Sequence, residues 1–243
     1  MVRMKNSQVF LKSKKVVEDM VSAAELSMED VVLEIGPGRG IITEKIAKNA
    51  GKVYAIEADR KLASELSMDN VQIITGDALK VEWPEFNKMI ANIPFHISSP
   101  LTFKLFESSW ESAILIYQKE FADRFFQKAG NRDYSRLTVA INYHAKPTYL
   151  KTLPPSLFSP KPKVSCALVK LERKKPEFET DEFFWRIISS LFQHKKKTLR
   201  AALKDSRIKI ELPERFDKKR VFQCDIYDFK TIVDIAREKH EKQ

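Results

Sequence analysis

The N-terminal half of the chain alternates short apolar runs with segments whose apolar residues recur at helical spacing. Val16, Val17, Met20, Val21 and Ala24 fall on one face of a helix that Ser13 can cap. Val31-Val32-Leu33-Glu34-Ile35 reads as a buried strand, stopped by Gly36-Pro37-Gly38-Arg39-Gly40, with a helix expected from Ile41 to about Ala47. Further strands are expected at Val53-Tyr54-Ala55-Ile56, Val71-Gln72-Ile73-Ile74, Lys88-Met89-Ile90-Ala91 and Ala113-Ile114-Leu115-Ile116-Tyr117. A short helix lies around 62–66, and another opens at Ser99-Pro100, a hydroxyl before a proline at the first helical position. Strands alternating with helices predict an α/β fold, a parallel sheet covered by helices on both faces.

From about Leu137 the pattern changes. A helix to Ala145 is followed by β-rich segments near 148–153 and 164–171. Residues 172–180, with Lys174-Lys175-Pro176, read as a linker, and 181–243 are helical by periodicity and basic. Two domains are expected, 1–175 and a small helical one at 176–243.

Composition narrows the class. The 243 residues are 43% hydrophobic and 31% charged, ordinary for a globular protein. No stretch approaches the roughly 20 apolar residues that span a bilayer, and Met1-Val2-Arg3-Met4-Lys5-Asn6 runs into no signal-like core. A cytoplasmic protein without a membrane partner is expected. Cys166 and Cys224 are the only cysteines and the four histidines are scattered, so no zinc-ligand spacing exists and a disulfide framework is excluded. Of the net charge of +10, nearly all lies beyond residue 150, where 23 Lys and Arg face 14 Asp and Glu. That asymmetry suggests a polyanion held by the C-terminal part; a Lys-rich surface of a thermophilic protein is the alternative.

Ligands of open parallel sheets bind beyond the carboxyl ends of the strands. Gly36, Gly38 and Gly40, then Glu57, Asp77 and Asn92, each follow an expected strand. The glycines let backbone approach a ligand, and Glu57, about 20 residues on, suits ribose hydroxyls. The dinucleotide fingerprint would need Gly or Ala at position 41, which is Ile41. Glu34-Ile35-Gly36-Pro37-Gly38-Arg39-Gly40 instead resembles the first motif of S-adenosylmethionine-dependent methyltransferases, which implies that Asp77 contacts the cofactor's adenine amine. A glycine turn serving only strand–helix packing is the competing reading.

Asn92-Ile93-Pro94-Phe95 resembles the N-[IL]-P-[YF] loop of enzymes that methylate exocyclic amines of adenine. An aromatic amine is a poor nucleophile because its lone pair is delocalised into the ring. The Asn92 side-chain oxygen and the Pro94 carbonyl can each accept one amine N–H, which localises the lone pair and aims it. Phe95 can stack on the flipped base, worth ~1–3 kcal/mol. An Asx-Pro turn with a core phenylalanine is the plain alternative.

Beyond these, Ser7-Gln8-Val9-Phe10-Leu11, Gln118-Lys119-Glu120 with Arg132-Asp133-Tyr134-Ser135-Arg136-Leu137, Phe158-Ser159-Pro160-Lys161-Pro162-Lys163-Val164 and Phe192-Gln193-His194-Lys195-Lys196-Lys197-Thr198-Leu199-Arg200 stand in order along the chain. Together they resemble the KsgA-type adenine dimethyltransferases of small-subunit ribosomal RNA, most closely archaeal members with a compact tail. The resemblance implies a Rossmann-like S-adenosylmethionine methyltransferase domain with a small C-terminal helical domain. It implies cofactor binding by Gln8, Val9 (through backbone alone), Leu11, Gly36, Gly38, Glu57, Asp77 and Asn92, and an adenine clamp of Asn92, Pro94 and Phe95. Lys161, Lys163, Lys195, Lys196, Lys197 and Arg200 become RNA contacts, the last four within two turns of one expected helix. The implied activity is dimethylation of two adjacent adenines in a hairpin loop of small-subunit RNA within a pre-ribosomal particle, by a monomer. Departures are Ser7 for the entry glycine, Val9 for a polar residue, Phe95 for the commoner tyrosine, His96 for asparagine (a loop residue rather than a base), Ser135 for glycine and Cys166 for serine. Two alternatives stay open: a large-subunit methyltransferase of the drug-resistance type, and an RNA-binding assembly factor without activity.

Overall fold

The computed structural model describes residues 8–241, the side chains of 240 and 241 excepted. Ser7 therefore lies outside the described residues. In chain order the elements are β1 (Phe10–Leu11), α1 (Lys14–Ala24), β2 (Val31–Ile35), α2 (Thr43–Ala47), β3 (Lys52–Glu57), α3 (Arg60–Glu65), β4 (Val71–Thr75), β5 (Lys88–Asn92), α4 (Ser98–Glu107), β6 (Ser112–Gln118) and α5 (Lys119–Asp123). They continue with α6 (Arg136–His144), β7 (Ala145–Leu153), β8 (Phe158–Ser159), β9 (Cys166–Arg173), α7 (Glu182–Phe192), α8 (Leu199–Asp205) and α9 (Ile226–Glu241).

Seven strands form one sheet in the order β4-β3-β2-β5-β6-β9-β7. The first five run parallel, and β9 is antiparallel to both β6 and β7. This is the expected α/β fold. The central strands are near-continuous apolar runs because they are covered on both faces: Ala113 to Tyr117 are fully buried. Helix α1 packs against β5 and β6 through Val16, Val17, Met20, Val21 and Ala24, the stripe read from the sequence, and the Ser13 hydroxyl accepts the Val16 N–H at 3.3 Å.

The start of α4 differs from the expectation. It begins at Ser98, continuing a 3-10 turn over Phe95–Ile97, and no side chain caps it. Pro100 still falls within the first turn, where its missing N–H has no intrahelical acceptor to lose. Ser99 is thus not the cap.

The chain divides into two compact units, one of residues 1–122 with 145–173 and the other of 123–144 with 174–243. The segment 123–144 groups with the C-terminal residues because Tyr134 and Val139 enter the core built by Phe184, Ile188 and Leu191 of α7, Leu199 and Leu203 of α8, and Phe229 and Ile232 of α9. Cys166 and Cys224 are free and buried, one in each unit, and burial pushes both thiols up to about 12. Among the described residues no helix is long and apolar enough to cross a membrane.

Candidate active site

Parallel pairing aligns the carboxyl ends of β4, β3, β2 and β5 side by side, which brings Asp77, Glu57, Gly36 and Asn92 to one edge of the sheet. The turn after β2 is left-handed at three glycines, with φ of 69°, 58° and 81° at Gly36, Gly38 and Gly40. Space enforces the choice as well as the backbone: a Cβ on Gly38 would lie 2.8 Å from the Phe10 ring. Gly36 N–H donates to the Ile56 carbonyl at 2.9 Å, tying the turn to the end of β3.

Glu57 ends β3 and is 5% exposed. Its Oε2 accepts the Gly38 N–H at 3.1 Å and its Oε1 the Asp59 N–H at 2.9 Å. A carboxylate offers about four lone-pair sites, so acceptor capacity remains for hydroxyls. Beneath the turn, Glu34 is 1% exposed and its Oε2 has no hydrogen-bond partner among the described residues. Burial pushes the Glu34 carboxyl up to about 8; the neighbouring Thr43 hydroxyl opposes the rise, and the Glu57 charge adds to it. Asp77 stands exposed two residues after β4, its Oδ1 accepting the Leu79 N–H at 3.0 Å in a tight turn.

Asn92 closes β5. Its Nδ2 donates to the Val9 carbonyl at 2.8 Å. Only the NH2 end of an amide can donate to a carbonyl, so this contact fixes which end is which. The other end, Oδ1, is buried and has no partner among the described residues. An unmet buried acceptor costs ~1–3 kcal/mol, which marks the place a donor is meant to occupy. The Pro94 carbonyl accepts the Ile97 N–H at 3.1 Å and keeps its second lone pair. Phe95 is half-buried against the core of the first unit, and His96 beside it is exposed.

The expected N-terminal contributors gather at the same edge. Leu11 is buried, Val9 packs on the core, and Gln8 is half-buried just ahead of β1. Strand β1 pairs antiparallel with β8, Phe10 opposite Ser159 and Leu11 opposite Phe158. Lys161 and Lys163 follow β8 and are exposed. Two further residues lie at this edge without a signal in the sequence. The Arg39 guanidinium sits 5.5 Å from the centre of the Phe10 ring, and Thr43 joins Glu34 in the buried layer. A groove of about 760 Å³, lined by Glu29, Trp83, Glu85, Lys104 and Glu107 among others, runs from beside the 78–81 turn, which Lys104 bonds, toward the starts of β2 and β5.

In the second unit the basic run is not one helix. Helix α7 ends at Phe192, residues 193–198 turn, and α8 starts at Leu199 with the Thr198 hydroxyl accepting the Ala201 N–H at 3.4 Å. Thr198 also bridges Arg220 in extended pairing, which a continuous helix forbids. Lys195 Nζ donates to the Arg132 and Tyr134 carbonyls at 3.1 and 3.4 Å, Lys197 pairs with Asp205 at 2.5 Å, and Arg200 pairs with Asp217 at 2.6 Å. Lys196 is exposed, and its ammonium makes no bond among the described residues.

The profile of the ribosomal RNA adenine dimethylase family matches residues 1–241. A probable ribosomal RNA small subunit methyltransferase A of Thermococcus gammatolerans is 49% identical over 203 residues, covering 82% of this chain and 73% of that one. Its counterpart of the same description in Thermococcus sibiricus is 42% identical over 95% of this chain and 90% of its own. Among solved structures, a dimethyladenosine transferase from Plasmodium falciparum superposes with a TM-score of 0.83 at 30% identity, over 95% of this chain and 98% of that one. The 23S rRNA methyltransferase ErmE superposes with a TM-score of 0.69 at 25% identity, over 94% and 99%.

Proposed function

The chain belongs to the ribosomal RNA adenine dimethylase family, and from that premise we propose how its own residues carry the reaction and on which RNA. It is an S-adenosylmethionine-dependent methyltransferase with a Rossmann-like fold that acts on adenine of small-subunit ribosomal RNA. The substrate we propose is a pair of adjacent adenines in a hairpin loop, each receiving two methyl groups, within a pre-ribosomal particle in the cytoplasm and by a monomer. In this reading the first unit carries the transfer chemistry and the second contacts RNA.

The single observation that carries the site assignment is the Oδ1 of Asn92, buried and without a partner among the described residues, on an amide oriented by the Val9 carbonyl. Gly36, Gly38 and the carboxylate of Glu57 suit a nucleoside with an extended tail, and Asp77 suits the amine of its base. S-adenosylmethionine supplies an activated methyl group there. The target adenine lies against Phe95, which offsets part of the unstacking cost of a few kcal/mol. Asn92 Oδ1 accepts one amine N–H and the free lone pair of the Pro94 carbonyl accepts the other, drawing the nitrogen lone pair out of conjugation and toward the methyl. The methylated amine is acidic and loses its proton to water, so no side-chain base is required. After the first transfer one N–H remains, and one of the two acceptors loses its donor for the second.

The test is Asn92→Ala. Methyl transfer to small-subunit RNA should fall by at least roughly a thousandfold while S-adenosylmethionine binding stays within about tenfold, because the amine contact strengthens in the transition state. Equal losses in both would return Asn92 to a structural role.

A large-subunit target is the less favoured reading, since the relatives at 42–49% identity carry small-subunit descriptions.

A further inference from the structure

Lys104 lies on α4, two turns beyond the Asn92 loop, and its side chain reaches the turn that carries Asp77. Long helical side chains lean toward the helix N-terminus, which aims Lys104 back at the carboxyl end of the sheet. Its Nζ donates to the Ala78 carbonyl at 2.9 Å and the Val81 carbonyl at 2.6 Å, and lies 5.0 Å from the centre of the Trp83 ring. Those carbonyls belong to the turn in which the Lys80 and Val81 N–H groups both donate to the Asp77 carbonyl, at 2.8 and 3.0 Å. The turn is also held at its start, where Gly76 N–H donates to the Glu57 carbonyl at 2.8 Å, and a Cβ on Gly76 would lie 2.4 Å from Val81.

We propose that Lys104 is a positioning residue for recognition of the cofactor's adenine: its ammonium staples the 77–81 turn to α4 and so fixes the aim of the Asp77 carboxylate. The proposal rests on the reading that Asp77 accepts the adenine amine. Two features set Lys104 apart from a surface lysine. It serves two backbone carbonyls rather than a carboxylate, so it shapes main chain. Its helix also begins where the base-binding loop ends, so one rigid element holds both the Asn92 loop and the Asp77 turn. Burial lowers the Lys104 pKa from its ordinary value and prevails over the charges of Asp77 and Glu107, both of which favour the ammonium form.

The experiment measures binding of S-adenosylhomocysteine and of S-inosylhomocysteine, in which an oxygen replaces the base amine, by calorimetry on the full chain. The wild type should prefer the adenosyl compound by roughly tenfold or more, as expected for one hydrogen bond to a charged group. Lys104→Met should lose most of that preference, with KM for S-adenosylmethionine rising far more than kcat falls, and Lys104→Arg should restore most of it. Should Lys104→Met not fold, Lys104→Leu, which also lacks a donor, verified as folded by circular dichroism, serves in its place. An intact preference in Lys104→Met, or in Lys104→Leu, overturns the proposal alone. An intact preference in Asp77→Ala overturns the adenine reading beneath it, and the proposal with it.

Discussion

The Gly38 N–H donates to Glu57 Oε2 at 3.1 Å, which joins the glycine turn and the acidic end of the neighbouring strand into one hydrogen-bonded unit. Asp59 N–H occupies Oε1 at 2.9 Å, so both oxygens of Glu57 hold backbone. Glu57→Gln keeps the volume but turns one oxygen into a donor facing another donor. S-adenosylmethionine affinity should fall by roughly ten- to hundredfold, as expected for hydrogen bonds to a charged group, with the fold retained. Calorimetric titration checks this, and wild-type affinity in the variant would move the ribose away from Glu57.

Gly38→Ala tests the same turn from its other side. The new Cβ meets the Phe10 ring at 2.8 Å, and the residue must also hold φ of 58°, which costs an alanine about 1–2 kcal/mol. The unfolding midpoint in scanning calorimetry should drop. Phe10→Leu in the same chain should recover the steric part and leave the backbone part, so a full recovery would contradict the strain.

The strands and their polar ends were legible because a parallel sheet writes buried strands as unbroken apolar runs and puts ligand groups just after them. The places of Glu57, Asp77 and Asn92 at the strand ends follow from that rule. The partner that orients Asn92 could not, since it is the main-chain carbonyl of Val9, 83 residues away, and a carbonyl has no sequence signature. The run at 193–198 misled for a different reason. Lysines suit a helix, but α7 ends at Phe192, and Thr198, which caps α8 with its own hydroxyl, also pairs with Arg220 in extended conformation. Ser99-Pro100 likewise resembles a helix start, but the 3-10 turn at Phe95–Ile97 leads directly into Ser98.

Glu34 gives a pH prediction. Its carboxyl is raised from 4.5 to about 8 on folding, so the folded state holds the extra proton between those values. By linkage, its contribution is fully present below about 4.5, falls as pH rises through about 8, and is constant above. Glu34→Gln mimics the protonated form. Its stability relative to the wild type should therefore increase across that window and level off above it, as read from urea unfolding at several pH values. A pH-independent difference would show that Glu34 does not take up a proton on folding.

The lysines at 195 and 196 should separate. Lys195→Gln removes the bonds to the Arg132 and Tyr134 carbonyls and should lower the stability of the second unit, leaving the salt dependence of RNA binding nearly unchanged. Lys196→Gln should leave stability alone and flatten the slope of log affinity against log salt by about 0.7–0.9 if it meets one phosphate. Binding isotherms at several salt concentrations check both, and the opposite pattern would reverse the two roles.

The most direct measurement is mass spectrometry of nucleosides and RNA fragments after small-subunit particles lacking the modification are incubated with the protein and S-adenosylmethionine, beside large-subunit RNA. N6,N6-dimethyladenosine is expected at two neighbouring adenines of the small-subunit RNA, and none with Asn92→Ala. Dimethyladenosine found only in large-subunit RNA, or equal product from Asn92→Ala, would contradict it.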